Sequence, residues 1–451
     1  MVAILRKYQP SELNVMKPNK QKTLLDLPLE LLVMILNHVD NSDLLGMILM
    51  NKSIYNQFLP FIYSSFKIPN KQFDLSLMDK YAKYINEIEI SSTSYNQEIN
   101  LYLSKMIQQD KVYSIKCKDI CFYSLINHPQ RQQFKFKHID FGKGTASMDL
   151  FYSHFSLLNQ TQILNNLKTI HLEINDELNV QLFDLLPHSI QSIAINSSIE
   201  IDNGLLMTEL TKLDFITNLS IELSEADSSE FQSLFEIGFP SLKYLKIICE
   251  SNSNHSNSVN EIRIKSNGFP VLKSLILNIP NSSVIIEDQM NHLNELQIVK
   301  YSFNDLSFNP TLFPSLKSIQ LNSKINFQTF YYYNLTLLNN NSSNLNLLKK
   351  LSLSSAIIDP YFIDFLTQRC TSLEELELIF CNSIVTKKYN LSIKKLIFKL
   401  NKDNFDFLIN LLLSCTQLQY LTLYTGWNTF DQNSNQIRLQ FPNLTLEHKR
   451  F

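Results

Sequence analysis

Few residue combinations in this sequence have the types and spacing that enzyme or metal chemistry requires. Asp140-Phe141-Gly142 has the sequence of a tripeptide that positions Mg²⁺ in phosphoryl transfer, but neither a glycine-rich loop nor a His-Arg-Asp motif accompanies it. Cys117 and Cys121 could be two metal ligands, yet no second Cys/His pair stands at ligand spacing. We therefore predict no catalytic residue, no metal site and no cofactor.

The composition argues against several other classes of partner. There are only 7 glycines, with no GxxxxGK[ST] or GxGxxG motif for phosphate binding. The 40 basic and 42 acidic residues nearly cancel, which gives no electrostatic case for nucleic acid or an anionic membrane. No apolar run is long enough to span a membrane or to act as a signal peptide. Six scattered cysteines are typical of a reducing compartment, so we expect a cytoplasmic or nuclear protein.

A short apolar motif recurs along most of the chain. FPSLKYLKI (239–247) returns as FPVLKSLIL (269–277) and FPSLKSIQL (313–321), while CTSLEELEL (370–378) and CTQLQYLTL (415–423) are variants. The shared element is L-x-x-L-x-L, and successive copies begin 20 to 32 residues apart. The first apolar positions are Leu167, Ile190, Ile216, Leu242, Leu272, Leu293, Leu316, Leu348, Leu373, Ile393, Leu418 and Leu444, with weaker copies beginning at Ile85, Val112 and Phe136.

The spacing within the motif predicts one architecture. L-x-x-L-x-L ends in period-two alternation, so its last two apolar residues lie on one face of a short strand. Helical patterns precede the strands, for instance at 359–370 and 404–415, where Asp359 and Pro360 make a good helix start for the first. We therefore predict repeating helix–strand units of about 25 residues that stack and share one core. The expected fold class is α/β, a curved solenoid with a parallel sheet on its concave face.

This pattern resembles the leucine-rich repeat in its cysteine-containing form. The copy that begins at Cys370 fits best, because it reads C-x-x-L-x-x-L-x-L-x-x-C and ends at Cys381. In the family, the last position of that pattern is Asn or Cys and satisfies backbone groups inside the turn. It is kept here at Asn175, Cys381 and Asn401 and is lost in other units.

The segment LDLPLELLVMILNHV (25–39) is more apolar than one helix face needs. Pro28 suits the first helical position and Glu30 complements the helix N-terminus. Two further short apolar helices are predicted, from 41 and from 53. Three such helices cannot bury all their apolar surface among themselves, so the excess should meet a partner or the first repeat.

The order of these residues resembles the F-box. Its elements are LPLE (27–30), IL (35–36), DL (43–44) and NKSIYNQFLPFIY (51–63), and the resemblance covers residues 24 to about 66. The tryptophan common in the family is absent, and Ile54-Tyr55 stands in its place. F-boxes are often followed by leucine-rich repeats, which is the order found here.

The resemblance implies a partner and a function. F-box segments bind the Skp-type adaptor of a cullin–RING (SCF) ubiquitin ligase, and the downstream repeats capture an unknown protein substrate, without catalysis by the F-box protein itself. The alternative is a leucine-rich-repeat scaffold outside any ligase, in which the same residues form the core of a helical N-terminal cap. The implied adaptor contacts are Leu27, Pro28, Leu31, Ile35, Leu44 and Leu45.

Taken together, the patterns divide the chain into four parts. We expect a disordered tail at 1–22, the F-box at 23–68, degenerate leading repeats at 69–160 and the solenoid at 161–451. Outward strand positions are the expected substrate surface, and exposed isoleucine and tyrosine near the C-terminal end suit a binding hot spot; plain solvated strand faces are the alternative. The candidates are Tyr244, Lys246, Ile248, Ile379, Ile397, Tyr420 and Tyr424.

Overall fold

The structure is a computed structural model that describes part of the chain. The chain divides into two units, residues 1–115 and 116–451. The segment with the six expected adaptor contacts lies outside the described residues, and so does the expected N-terminal tail. The described residues are 65–68, 84–85, 87–90, 113–118, 134–141, 163–174, 180–197, 203–224, 231–249, 260–279, 282–300, 305–323, 333–337, 345–358, 360–379, 381–383, 390–400, 404–425 and 430–450.

In the first unit, two short strands pair in parallel. β1 (Ser65–Ile68) lies beside β2 (Glu87–Ile90), with Ser65 opposite Glu87. Ile85 and Ile88 are completely buried, as the motif beginning at Ile85 predicts. A third strand, β3 (Tyr113–Lys118), contains the division between the units and matches the weak copy predicted at Val112.

The second unit contains an open, all-parallel sheet of thirteen strands in which chain order is also spatial order. A parallel connection needs a crossover, and here each crossover is one repeat long. The strands are β4 (Phe134–Phe141), β5 (Thr169–Ile174), β6 (Ser192–Ser197), β7 (Asn218–Leu223), β8 (Tyr244–Cys249), β10 (Ser274–Asn278), β12 (Glu295–Lys300), β14 (Ser318–Ser323), β16 (Lys350–Ser354), β18 (Glu375–Ile379), β20 (Lys395–Lys399), β21 (Tyr420–Thr425) and β22 (Thr445–Arg450).

These strands confirm the repeat assignment. Each of the first eleven strong copies begins its strand two residues after the first apolar position, and the copy at Leu444 begins one residue after it. The motif's alternation becomes alternating burial: in β6 and β7 every second side chain is buried and those between are half-buried. The solenoid-like repeat is therefore present in the second unit, and its core lies behind the sheet.

The first leucine of the motif also closes a turn. In eleven of the described copies its backbone N–H donates to the carbonyl three residues earlier, at 2.8–3.4 Å. In the Phe-Pro copies the acceptor is the phenylalanine, as in Leu242 N to Phe239 O at 3.2 Å. Proline then stands at the second position of the turn, where its fixed φ is favourable. The buried Phe239 and Leu242 anchor both ends of this turn in the core.

A second backbone contact joins consecutive units. The carbonyl of the residue just before a strand accepts two backbone N–H groups of the next unit. One belongs to the residue just before the strand of that next unit, and the other belongs to the first residue of that strand. Lys243 O, for example, accepts Lys273 N at 2.8 Å and Ser274 N at 3.0 Å. The acceptors of such pairs in the described part are Lys168, Gln191, Thr217, Lys243, Lys273, Asn294, Lys317, Lys349, Glu374 and Lys394.

Helices cover the sheet in some units. The α-helices are α1 (Asn203–Leu210), α2 (Gln232–Ile237), α3 (Pro360–Arg369), α4 (Phe405–Ser414) and α5 (Phe430–Gln440), and 3₁₀ turns occur at Ile163–Asn166, Val180–Leu185, Ser266–Gly268 and Pro310–Leu312. The two helices expected at 359–370 and 404–415 are confirmed as α3 and α4. Asp359, the expected cap of α3, lies outside the described residues. Phe407 of α4 packs edge-on against Phe398 of β20 with ring centroids 5.8 Å apart, which ties helix to sheet.

The expectation of a helix in every unit is wrong. In several units the crossover is a short strand instead. β9 (Asn260–Ile264) and β11 (Ser282–Ile286) form a two-stranded parallel sheet. A separate four-stranded parallel sheet contains β13 (Asp305–Phe308), β15 (Tyr333–Leu337), β17 (Ala356–Ile358) and β19 (Asn382–Ser383). Segments such as SSVII at 282–286 are β-branched and favour extended backbone. The short repeat steps around Leu293, 21 and 23 residues, also leave little chain for a helix.

Two polar side chains satisfy the backbone where the C-terminal units turn. The Cys381 thiol, at the position predicted for this role, is buried and lies 3.6 Å from Leu353 O and 3.7 Å from Ile379 O. Asn404, which begins the segment leading into α4, is also buried. Its Nδ2 donates to Cys381 O at 3.4 Å and to Lys399 O at 3.0 Å. Asn404 therefore links the ends of two units.

The last strand carries polar residues where earlier strands carry core residues. In the register of β21 and β22, Leu423 lies opposite His448 and Thr425 opposite Arg450. The Thr425 hydroxyl is 2.6 Å from Nε2 of His448. At these two positions β22 therefore has polar residues opposite residues that are buried in β21.

Gly238 and Gly268 occupy the same position in neighbouring units, and their backbones touch. A Cβ added at Gly238 would lie 2.3 Å from the Gly268 Cα, and Gly238 has φ +74, which disfavours a side chain. A Cβ at Gly268 would lie 3.1 Å from the Gly238 Cα, with no unusual φ.

We expect Gly238→Ala to lower the free energy of unfolding by at least about 2 kcal/mol. Gly268→Ala is the matched control and should cost clearly less in urea unfolding followed by circular dichroism; equal losses would contradict this account.

Asn404 offers a second stability test. Asn404→Ala removes both hydrogen bonds and leaves the carbonyls of Cys381 and Lys399 without that donor in a buried turn. We expect a loss of about 1–3 kcal/mol in the free energy of unfolding. Asn390→Ala, at an exposed asparagine that accepts a bond from Thr416, should change it by less than about 0.5 kcal/mol. If the two variants unfold at the same urea concentration, Asn404 does not have the role assigned to it.

Candidate functional site: the open face of the sheet

The candidate site is the open face, which we define as the strand side chains of the thirteen-strand sheet that point away from the core. Because the strands are parallel and in register, these side chains form rows that run across the strands. One row runs from Lys350 through Glu375 and Lys395 to Tyr420, and another runs from Lys399 through Tyr424 to Lys449. Residues distant in sequence thus become neighbours about 5 Å apart.

At the N-terminal end of the sheet, the open face carries a histidine–carboxylate pair. Nδ1 of His171 is 2.8 Å from Oδ1 of Asp140 on the neighbouring strand. The hydrogen bond to Asp140 raises the pKa of His171 above its ordinary 6.5, against the opposing effect of burial, and the charge on Glu173 adds to the increase. His138 is hydrogen-bonded to Thr169 beside this pair. The carboxylate of the Asp-Phe-Gly tripeptide therefore serves a cross-strand contact.

In the middle of the sheet, the three predicted residues of β8 lie on the open face as expected. Tyr244 is 49% exposed, while Lys246 and Ile248 are half-buried. Lys246 forms an ion pair with Glu222 on β7, so the carboxylate partly neutralises the charge of the lysine. Four strands separate this group from β18, so the structure does not bring it together with the C-terminal candidates.

Further along, Glu375 links three strands by electrostatics. Lys350 on β16 lies 2.8 Å and Lys395 on β20 lies 3.0 Å from its carboxylate. Burial alone would raise the pKa of Glu375, but hydrogen bonds from both lysines hold it below the ordinary value. Lys394 and Glu374 repeat the pattern one position earlier, at 3.3 Å. Exposed pairs of this kind contribute little stability, but they favour the observed register.

The C-terminal candidates lie on neighbouring strands, with one correction. Tyr420 is 53% exposed, and Ile379 and Tyr424 are half-buried on the open face. Ile397, predicted to be exposed, is only 9% exposed. Its open-face neighbours are Glu377 and Thr422 in the register and two lysines in its own strand, and side chains of this length cover a single isoleucine. Ile397 therefore supports this surface and offers little contact area.

Sequence reasoning placed Lys395 and Lys399 at outward strand positions without naming them as binding candidates, and it missed Lys449. Burial lowers the pKa of Lys399 to about 8, which marks an ammonium group partly removed from water. Lys449 escaped notice because the last unit seemed truncated; the alternation in TLEHKR (445–450) was the available signal. The burial of Lys399 depends on neighbours about 25 residues away in each direction, which no local pattern reveals.

Metal binding and thiol chemistry depend on clustered or ionisable His, Cys, Asp and Glu side chains. No group of three or more His, Cys, Asp or Glu in the described residues has the geometry of a metal site. Cys249, Cys370, Cys381 and Cys415 are buried. Burial raises the pKa of Cys370 and of Cys415 to about 12, so both are protonated thiols at neutral pH.

Comparison with known proteins adds no relative. No protein-family model matches the chain, and no curated protein matches its sequence. Among the described residues, no helix combines the length and the apolar character needed to cross a membrane.

The His171–Asp140 pair predicts a pH dependence of stability. Because the folded-state pKa of His171 is raised above 6.5, the pair stabilises the fold fully below pH 6.5, and this contribution disappears as the pH rises through the folded-state pKa. Asp140→Asn should therefore reduce the unfolding free energy more at about pH 5.5 than at about pH 8.5. Asp184→Asn, at an exposed carboxylate 4.0 Å from Lys212, is the control and should show no such difference. A loss for Asp140→Asn that does not change with pH would reject the assignment.

Proposed function

We propose that this protein is the substrate-recruiting subunit of an SCF-type ubiquitin ligase. Residues 24–66 would bind the Skp-type adaptor and, through it, the cullin, and the repeats would bind the target protein. The observation that carries the proposal is the thirteen-strand parallel sheet, whose open face presents rows of accessible side chains, in a chain whose residues 24–66 resemble an F-box in sequence. This order of a short helical segment and a long repeat array is the one the family uses.

The mechanism requires no catalytic group in this chain. A target held on the repeats and an adaptor held on the N-terminal segment share one molecule, so the target experiences a high effective concentration of the ubiquitin-loaded enzyme. The repeats would be curved, with the open face on the concave side, so that one target contacts several units at once. Such a protein would act in the cytoplasm or the nucleus, where ubiquitin ligases work.

The adaptor interface would be apolar. Leu27, Pro28, Leu31 and Ile35 come from the first predicted helix, and Leu44 and Leu45 from the second. A few buried apolar side chains carry most of the energy in interfaces of this kind. A charge introduced among them would be buried without a partner and would cost several kcal/mol, enough to remove measurable binding.

The test is capture of a purified Skp-type adaptor by the full chain. We expect the wild type to retain the adaptor, and Ile35→Asp and Leu44→Asp to lose it while keeping the circular dichroism of the wild type. Leu439→Asp is the matched control, because Leu439 is 84% exposed on α5, and it should retain the adaptor fully.

Two results would reject the proposal. Capture that survives both Ile35→Asp and Leu44→Asp would show that the adaptor binds elsewhere. A folded wild type that captures no adaptor would favour the scaffold outside any ligase, with the N-terminal helices as a cap of the repeats.

A further inference from the structure

Five side chains near the C-terminal end of the open face form what we call the basic strip. They are Lys395 and Lys399 on β20, Tyr420 and Tyr424 on β21, and Lys449 on β22. Lys395 lies opposite Tyr420 in the register, and Tyr424 lies between Lys399 and Lys449. At a strand spacing of about 4.8 Å, Lys399 and Lys449 stand roughly 10 Å apart with an aromatic ring between them.

Positive charge predominates on these three strands. Among their nine open-face residues, three are lysines and one, Glu447, is a carboxylate, so the difference is +2. Lys449 shares its charge with Glu447 at 3.6 Å, and Lys395 with Glu375. The open face of β5 to β7 is the opposite, with two carboxylates (Glu173 and Glu222) and no lysine or arginine. These two parts of the open face therefore differ in charge.

The basic strip also has apolar contact area. The Tyr420 ring is 53% exposed, and the half-buried Ile379 stands on the next strand but one. Tyrosine provides a rigid surface with a hydroxyl donor, and it is enriched at interface hot spots. A ligand that carries both apolar and anionic side chains would match this combination better than a small ion would.

Lys399 is a lysine of the basic strip whose protonation is affected by burial. Its ammonium group is partly desolvated, which lowers its pKa to about 8 and destabilises the charged form. An anion placed beside it would reverse that effect, because a nearby opposite charge stabilises the ammonium. Binding of an anion would therefore stabilise the charged form of Lys399.

We propose that the basic strip binds an extended acidic segment of the target that runs along β21, with a carboxylate between Lys399 and Lys449 and an apolar side chain against Tyr420. The identity of the occupant as a target rests on the proposed function above. Tyr420 and Tyr424 lie four residues apart on β21, which equals two same-side repeats of about 7 Å in an extended peptide, and the flexible stems of Lys399 and Lys449 can reach a carboxylate above Tyr424. The chemical class recognised is a carboxylate-rich, partly apolar peptide.

The test uses the full chain and a labelled probe peptide, Gly-Leu-Ser-Ser-Ser-Glu-Ser-Glu-Gly, in fluorescence anisotropy at low salt; when extended, this peptide has its leucine and both glutamates on the same side. We expect binding by the wild type, about tenfold weaker binding for Lys399→Gln and for Lys449→Gln, and none for the double variant. Lys265→Gln, at an exposed lysine away from the strip, should bind as the wild type does. Peptides with Gln or Lys in place of Glu should bind at least tenfold more weakly.

A pH series distinguishes binding at Lys399 from general electrostatic attraction between the peptide and the protein. Affinity should fall as the pH rises through about 8, because the lysine must then take up a proton to bind the anion. Lys399→Arg keeps the charge at all these pH values, so it should restore binding and remove the pH dependence.

Adaptor capture is measured on the same preparations. Equal binding of the Glu and Gln peptides, unchanged binding by the double variant, or no binding by a wild type that captures the adaptor would each overturn the acidic-segment proposal and leave the ligase proposal standing. Peptide binding by a chain that captures no adaptor would overturn the ligase proposal alone and leave the strip as a site for acidic segments.

Discussion

One backbone contact sets the geometry on which the rest of the second unit depends. A single carbonyl at the entrance of each main-sheet strand from β5 to β20 accepts two N–H groups from the next unit, at 2.7–3.1 Å. Because the same contact recurs from Lys168 to Lys394, it holds the strands from β5 to β21 at one register, whatever crosses behind the sheet. A slip of one residue would turn the leucines outward and the polar residues into the core, so the contact and the alternation enforce each other.

A fixed register turns a one-dimensional repeat into a two-dimensional surface. Each unit contributes two or three outward side chains, and functional groups arise only where several units place compatible residues in one row. Glu375 bridging two lysines, His171 beside Asp140 and Tyr424 between two lysines are three results of this rule. The open face can change from acidic to basic along the sheet without any change in the core, because alternate residues of a strand face the core and the open face.

The sequence determined the sheet better than it determined what covers the sheet. L-x-x-L-x-L located every strand from Thr169 onwards in the thirteen-strand sheet, because its period-two burial is a local property. The crossovers were not predictable in the same way, since helix, 3₁₀ turn or strand depends on repeat length and on the crossover of the neighbouring unit. Ile397 and Asn404 show the same limit at the level of single side chains, because their burial comes from units on either side. The segment that resembles an F-box lies outside the described residues, so its role rests on sequence.

The stacked arrangement has a mechanical consequence. In the described residues, each strand of the main sheet pairs only with the main-sheet strand that precedes it and the one that follows it in the chain. A force that pulls the two ends of the sheet apart along the stacking direction therefore acts on these interfaces in series, so each interface carries the full load and the weakest one separates first. Parallel strands pulled along their own length would instead resist together. A protein of this build could yield gradually to an unfolding motor, giving up a unit per step while the remaining units kept their register.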